Sequence, residues 1–212
     1  MRDIPVFATE LGVASLFLKD IPYSKTAYIK VRSSPDPAAF LEECIGFCKA
    51  AGALHVFASG DTYLNQYPHS IDVYLMRRDR FPDFADALLF PAQEHTLDRW
   101  LEIYNRSMAN VTKASHMTRN EGIALLKERS AYFVHKDDVI LGIGIVSGDK
   151  IQAIAACQKG AGETVLKALC GVLDTDMICL EVASNNVPAL RLYERLGFIK
   201  VGVTESWYQV FC

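Results

Sequence analysis

Runs of apolar residues with a period of two alternate along the chain with runs at helical spacing, and their order predicts the architecture. Thr26–Arg32 (TAYIKVR) is rich in β-branched and aromatic residues and predicts a strand. In the segment that follows, Asp36 is placed to cap a helix with Pro37 at its first position, and Gly52 closes it. Leu41, Cys44, Ile45 and Cys48 form the apolar stripe of that helix. Strands at 54–59 and 71–77 come next, so the first part of the chain predicts a small α/β region that begins before residue 26. The charged, proline-bearing stretch RRDRFPDFAD (77–86) marks a boundary, dividing 1–84 from 85–212.

The second part opens with a short strand at 87–90. Thr96 then caps a helix carrying Leu97, Trp100, Leu101 and Tyr104 at positions i, i+3, i+4 and i+7. Thr118 with Glu121 three residues on is a capping box, starting a helix toward Lys127. Three strands follow at 131–135, 139–147 and 150–156, joined by tight turns at Lys136–Asp138 and Gly148–Asp149. The remainder predicts helix 162–173, strand 177–183, helix 186–196 and two closing strands at 198–204 and 206–211. The fold class is α/β of the α+β type.

Composition narrows the field. Half of the 212 residues are hydrophobic, enough for a sizeable core. The net charge of −3 offers no electrostatic footprint for nucleic acid or a membrane surface. Val139–Val146, the longest nearly unbroken apolar stretch, falls far below the roughly 20 residues that span a bilayer. The first residues lack the pattern of a signal peptide, and the expected location is the cytoplasm. The six cysteines form no CxxC pair, and the five histidines show no metal spacing, so no metal is expected. Cys44 and Cys48 share a helix face and belong to a core.

The candidate chemistry begins in IAACQKGAGETVLKAL (154–169), where a strand runs into a glycine turn that opens a helix. Such a junction exposes unpaired backbone N–H groups and the positive end of the helix dipole. Glycines there allow positive φ and close approach of a ligand, which makes an anion-binding concavity suited to phosphate. The segment lacks the GK[ST] ending of a P-loop and is not GxGxxG, which excludes the usual ATP and dinucleotide turns. An ordinary strand-to-helix turn with two glycines fits the same residues.

A second segment, LEVASNNVPALRLYERLGF (180–198), resembles the GNAT acetyltransferase superfamily pattern LEV…N-x-x-A-x-x-L-Y-E-x-L-G-F. Asn186, Ala189, Leu192, Tyr193, Glu194, Leu196, Gly197 and Phe198 match it, and KGAGETVLKAL is similar to that family's CoA-pyrophosphate turn and helix. The resemblance covers about 87–212. It implies a GNAT fold, a mixed central sheet flanked by helices, with 85–212 as the N-acyltransferase domain. Residues 1–84 resemble half a GNAT domain, either a degenerate copy or an unrelated cap.

What the resemblance implies for chemistry is specific. Acetyl-CoA or another acyl-CoA is the co-substrate, and an amine attacks its thioester directly in a ternary complex. The CoA contacts fall on Ile154, Ala155, Ala156, Lys159, Gly160, Ala161, Gly162, Glu163 and Thr164, together with Asn186, Ala189 and Tyr193. An N–H near Ala155 or Ala156 would meet the oxyanion. Tyr193 is the general acid at the thiol end. Glu181, twelve residues before Tyr193, is the candidate base, and a solvent-facing or salt-bridged strand glutamate fits it equally. Cys157 stands where the family usually has Gln or Arg, so Lys159 is the candidate replacement for that charge. The acceptor is a small-molecule amine or a peptide or protein amine, and a homodimer is compatible with the sequence. The competing readings are a catalytically inactive acyl-CoA-binding or sensing module and, more remotely, an unrelated nucleotide-binding protein.

Overall fold

In chain order the elements of the computed structural model, which describes residues 2–79, 81, 86–109, 111 and 114–212, are as follows. The first part holds β1 (Ile4–Thr9), β2 (Gly12–Phe17), α1 (Ile21–Ser24), β3 (Thr26–Ser33), α2 (Pro37–Ala50), β4 (His55–Ser59) and β5 (His69–Asp79). Then come β6 (Leu88–Pro91), α3 (Leu97–Met108), α4 (Arg119–Lys127), β7 (Ala131–Lys136), β8 (Val139–Ser147) and β9 (Lys150–Ala156). The last elements are α5 (Gly162–Cys170), β10 (Met177–Ala183), α6 (Val187–Arg195) and β11 (Ile199–Phe211). They form two compact units, Met1–Val73 with Val203–Cys212, and Tyr74–Gly202. Among the described residues no helix is long and apolar enough to cross a membrane.

The first unit is a mixed sheet in the order β1-β2-β3-β4-β11-β5, with β11 and β5 entering through residues 203–211 and 69–73. β3 and β4 run parallel, joined through α2. That helix starts where Asp36 accepts a hydrogen bond from the Ala39 amide at 3.2 Å, and its stripe of Phe40, Leu41, Cys44, Ile45 and Cys48 is buried against the sheet. Gly12 begins β2 because a Cβ there would fall 2.7 Å from the Ser33 carbonyl oxygen and 2.8 Å from the Phe40 ring.

The second unit has the order β11-β5-β10-β9-β8-β7-β6, with β11 and β5 represented by residues 199–202 and 74–79. β6 through β9 form an antiparallel meander, and β10 is parallel to β9 across α5. α3 packs Leu97, Trp100, Leu101, Ile103 and Tyr104 with Phe133, Ile143 and Ile145 on one face, where α4 also lies. The Trp100 indole N–H donates to the Tyr132 carbonyl at 3.1 Å, so the buried ring keeps its polar bond. On the other face, α5 buries Val165, Leu166 and Leu169 with Ile151, Ile178, Leu180, Val182 and Phe198. Side chains of this size contribute roughly 1.5–3 kcal/mol each when fully buried.

Three sequence expectations change. The two closing strands are one, Ile199–Phe211. No turn residue interrupts it at Glu205, whose carboxylate instead meets the Lys30 ammonium and accepts from the Trp207 indole at 3.0 Å. α5 stops at Cys170, not 173, because beyond it the amides tighten to i→i−3 bonds, Val172 donating to Leu169 and Leu173 to Cys170, each at 3.2 Å. Thr96 precedes α3 without a side-chain bond to the helix, its hydroxyl donating instead to the Gln93 carbonyl at 3.1 Å, while the hairpin of β1 and β2 supplies the start expected before residue 26. Of the boundary expected at 77–86, residues 80 and 82–85 lie outside the described residues.

Candidate functional site

The glycine turn lies between the end of β9 at Ala156 and the start of α5 at Gly162. Two of its amides are engaged: Cys157 donates to Leu141 at 2.7 Å, and Ala161 to Gln158 at 3.1 Å. The Val165 amide takes the Ala161 carbonyl at 2.9 Å as the helix begins. Among the described residues, the amides of Lys159, Gly160, Gly162, Glu163 and Thr164 have no acceptor. Ala161 stands at the cap position and offers no side-chain oxygen, so nothing in the turn competes for them. Gly160 sits at φ +87° with open space where a Cβ would be, whereas a Cβ on Gly162 would come 3.0 Å from Leu192 Cδ2.

Charge around the turn is arranged unevenly. Glu163 is engaged by Lys167 at 2.9 Å and Arg195 at 3.5 Å, and Lys167 above all holds its carboxyl below the ordinary carboxylate range. Lys159 is exposed in the turn itself. Burial pushes the Cys157 thiol up against the pull of Arg106 and Arg99 on α3. Those two arginines, seven residues apart on one flank of α3, bring cationic charge to the end of β9. They escaped the sequence reading, where their spacing was the available signal.

Next to the turn, two parallel strands part. β9 and β10 are in register at Cys179↔Lys150 and Leu180↔Ile151, and the Cys179 amide donates to Asp149 at 2.9 Å. Beyond Ile151 no further pair joins them among the described residues, while β9 stays bonded to β8 as far as Gly142↔Ala156. The outer edge of β9 from Gln152 to Ala156 is therefore open. Because the Cys157 amide points to β8, the alternation of an antiparallel ladder directs the Ala155 N–H to β8 as well. It directs the N–H groups of Ile154 and Ala156 to the open edge.

α6 flanks this opening. Asn186 caps it by accepting from the Ala189 amide at 3.3 Å. Gly197, at φ +83°, ends it in a left-handed turn. The Arg78 guanidinium donates to the Leu196 carbonyl and lies 3.4 Å over the Phe81 ring, fixing the helix terminus. Ala189 and Tyr193 are partly buried against the α5 face, and the Tyr193 ring is 5.8 Å from Phe198. The phenol has no hydrogen-bond partner among the described residues. Burial, with a smaller contribution from Cys170 beside it, pushes its pKa up to about 12.

Glu181 is exposed on β10 with its carboxylate 3.7 Å from Lys150. Its neighbours Leu180 and Val182 are buried on the α5 face, so alternation puts Glu181 on the opposite face from the one against which Tyr193 packs. The turn, the open strand edge and α6 thus belong to one face and one end of the second unit, and Glu181 lies across the sheet. Together these features can hold an anionic group at the bare amides and an extended amide-bearing chain along β9.

No family model matches the sequence, and neither does any curated protein. Solved structures match in fold. A GCN5-related N-acetyltransferase from Sphaerobacter thermophilus aligns with a TM-score of 0.58 at 12% identity, over 94% of this chain and 77% of its own. A tandem GNAT protein from the clavulanic acid biosynthesis pathway gives 0.58 at 12% identity, over 94% and 78%. A GCN5-related N-acetyltransferase from Kribbella flavida gives 0.57 at 11%, over 96% and 58%. The chain has the GNAT fold.

Proposed function

We propose that this protein is a cytoplasmic acyl-CoA-dependent N-acyltransferase that uses acetyl-CoA and passes the acyl group directly to an amine acceptor, a small molecule or a peptide or protein amine. The observation that carries this reading is the parting of β9 from β10 after Ile151, immediately before a turn of uncapped amides. A slot with an anion anchor at its mouth suits a diphosphate followed by an extended, amide-containing arm. The amides of Lys159, Gly160, Gly162, Glu163 and Thr164 would donate to the diphosphate, with Lys159, Arg99 and Arg106 supplying positive charge. Ile154 and Ala156 would pair their outward N–H and C=O groups with the arm, beside Asn186 and Ala189. The solved neighbours named as N-acetyltransferases support the same reading.

The bound thioester supplies the activated acyl carbon. An acceptor amine with an ordinary pKa of about 10.4 must lose a proton before attack, and Glu181 or an ordered water takes it. The outward N–H of Ile154 or Ala156 meets the oxyanion; the Ala155 N–H is already committed to β8. Tyr193 then serves the departing sulfur. A phenol at about 12 is fully protonated at neutral pH. Complete proton transfer from it to a thiolate of ordinary pKa near 8.5 is uphill by about 5 kcal/mol. Tyr193 therefore acts first as a hydrogen-bond donor to the developing charge, and the amine's proton can complete the exchange.

That same environment favours a second reading, an acyl-CoA-binding module without turnover, since Glu181 and Tyr193 lie on opposite faces of the sheet. We read the first unit as a GNAT-like partial copy, in keeping with its strand–helix–strand order and with the tandem GNAT neighbour. A turnover assay with acetyl-CoA over an amine panel, run beside calorimetric binding, separates the readings. For the enzyme, Tyr193→Phe lowers kcat about 10²–10⁴-fold and leaves acetyl-CoA affinity intact. Binding without turnover selects the second reading, and no binding rejects both.

A further inference from the structure

Away from the strand opening, the second unit holds a cleft of about 910 Å³ bounded by β6, the tip of the β7–β8 hairpin and the turn that leads into α3. The cleft lies at the N-terminal end of α3, where Arg99 borders it and is the one lining residue that also acts on Cys157 at the end of β9. Phe133 and Ile140 line it, and Phe90 adds a half-exposed ring to its wall. The His135 ring stands edge-on to both, with centroids 5.1 Å from Phe90 and 6.0 Å from Phe133.

The charges facing this cleft do not balance. Lys136 is paired with Asp86 at 2.8 Å, and Arg99 with Glu102 at 2.6 Å. Asp137 and Asp138 also line the cleft; Asp137 acts on Lys136 after Asp86, and neither aspartate forms a salt bridge among the described residues. Both hold positive φ, +48° and +61°, in a tight turn where Asn-Gly would be relaxed. The hairpin tip thus presents two carboxylates at the rim of an aromatic cleft. Aromatic faces and carboxylates together are the surroundings that an organic cation prefers.

We propose that this cleft is a second ligand site, distinct from the acyl-CoA slot in every named residue but Arg99, for a small amphipathic ammonium ion. The apolar body lies against Phe90, Phe133 and the His135 ring, and the ammonium group meets Asp137 and Asp138. This site does not depend on the acyltransferase reading.

The test is calorimetric titration of the full chain with 2-phenylethylamine and with its neutral analogue 2-phenylethanol. Asp137→Asn/Asp138→Asn provides the control, because asparagine adopts the left-handed turn and removes only the charge. Saturable binding of the amine is expected, at least tenfold weaker for the alcohol and at least tenfold weaker in the double variant. The His135 ring proton resonances should shift on adding the amine. Equal affinity for amine and alcohol, an unaffected double variant, or no saturable binding overturns the proposal. Acetyl-CoA titrated into the double variant should bind as in the unaltered protein, and a selective loss there would refute the separateness of the two sites. Failure of acetyl-CoA to bind either protein would reject the acyltransferase reading and leave this site standing.

Discussion

A carboxylate placed in the glycine turn tests the anion site directly. Gly160 is suited to it: a Cβ there meets nothing within 4 Å, and its φ of +87° is a conformation that Asp and Asn tolerate better than other side chains. Gly160→Asn and Gly160→Asp share shape and backbone strain, so their difference isolates one negative charge. At about 6 Å from a diphosphate carrying two charges, that charge costs about 1.4 kcal/mol even at the dielectric of water, which is tenfold in affinity. The lower effective dielectric near a protein surface raises the penalty. An acidic residue just before a helix also favours the helix dipole, so Gly160→Asp does not weaken α5. The assay is acetyl-CoA binding by calorimetry at low and high salt. Gly160→Asp should bind at least tenfold more weakly than Gly160→Asn, and the gap should narrow as salt screens the charge. Equal affinities would refute a diphosphate at these amides.

Gly144→Ala should destabilise the fold by about 1–3 kcal/mol, since its Cβ would lie 2.3 Å from Leu169 Cδ1 in a fully buried contact, and an unchanged melting temperature would contradict that packing. Of the cysteines, Cys157 and Cys212 are exposed and should react promptly with a thiol reagent, while Cys44, Cys48, Cys170 and Cys179 should react only on unfolding. Burial raises Cys44, Cys48 and Cys170 to about 12 from an ordinary 9.0. Their unfolded forms therefore release protons first, so the stability they confer is full below pH 9 and is lost as pH rises toward 12; a denaturant midpoint that does not fall between pH 8 and 10.5 would be the contrary result. Acetyl-CoA should saturate at one equivalent per chain, and a second equivalent would reveal a site in the first unit.

What could be read from sequence was local. Thr118 and Glu121 form their capping box within four residues, with the Thr118 amide donating to Glu121 at 2.8 Å. Asp36, Gly52 and Gly197 mark helix ends through backbone conformations that depend on their immediate neighbours. The features that the chain keeps hidden come from distant segments. Residues 203–211 lie beside β4, a pairing at Tyr208↔Ala58 that no local pattern encodes. Arg99 and Arg106 look like ordinary charges on an amphipathic helix until the end of β9 is seen beside them. The parting of β9 and β10 is a matter of how far the two strands stay paired, which neither strand's own alternation encodes.

That difference in the extent of pairing also explains why one wiring yields two outcomes. β3–α2–β4 and β9–α5–β10 are both parallel strand pairs joined through a helix. In the first, five successive pairs from Thr26↔His55 to Lys30↔Ser59 keep the strands bonded, so neither edge is free to receive an extended chain. The helix that follows β3 is also spoken for at its positive end. The Asp36 carboxylate takes the Ala39 amide and puts a fixed negative charge where a phosphate would have to sit, and Pro37 removes another donor. α5 has the reverse arrangement, with alanine at the cap, glycine on either side of it, and strands that separate before the turn. The proposed acyl-CoA slot needs an anion anchor beside an open edge, and among the described residues only the second unit combines them.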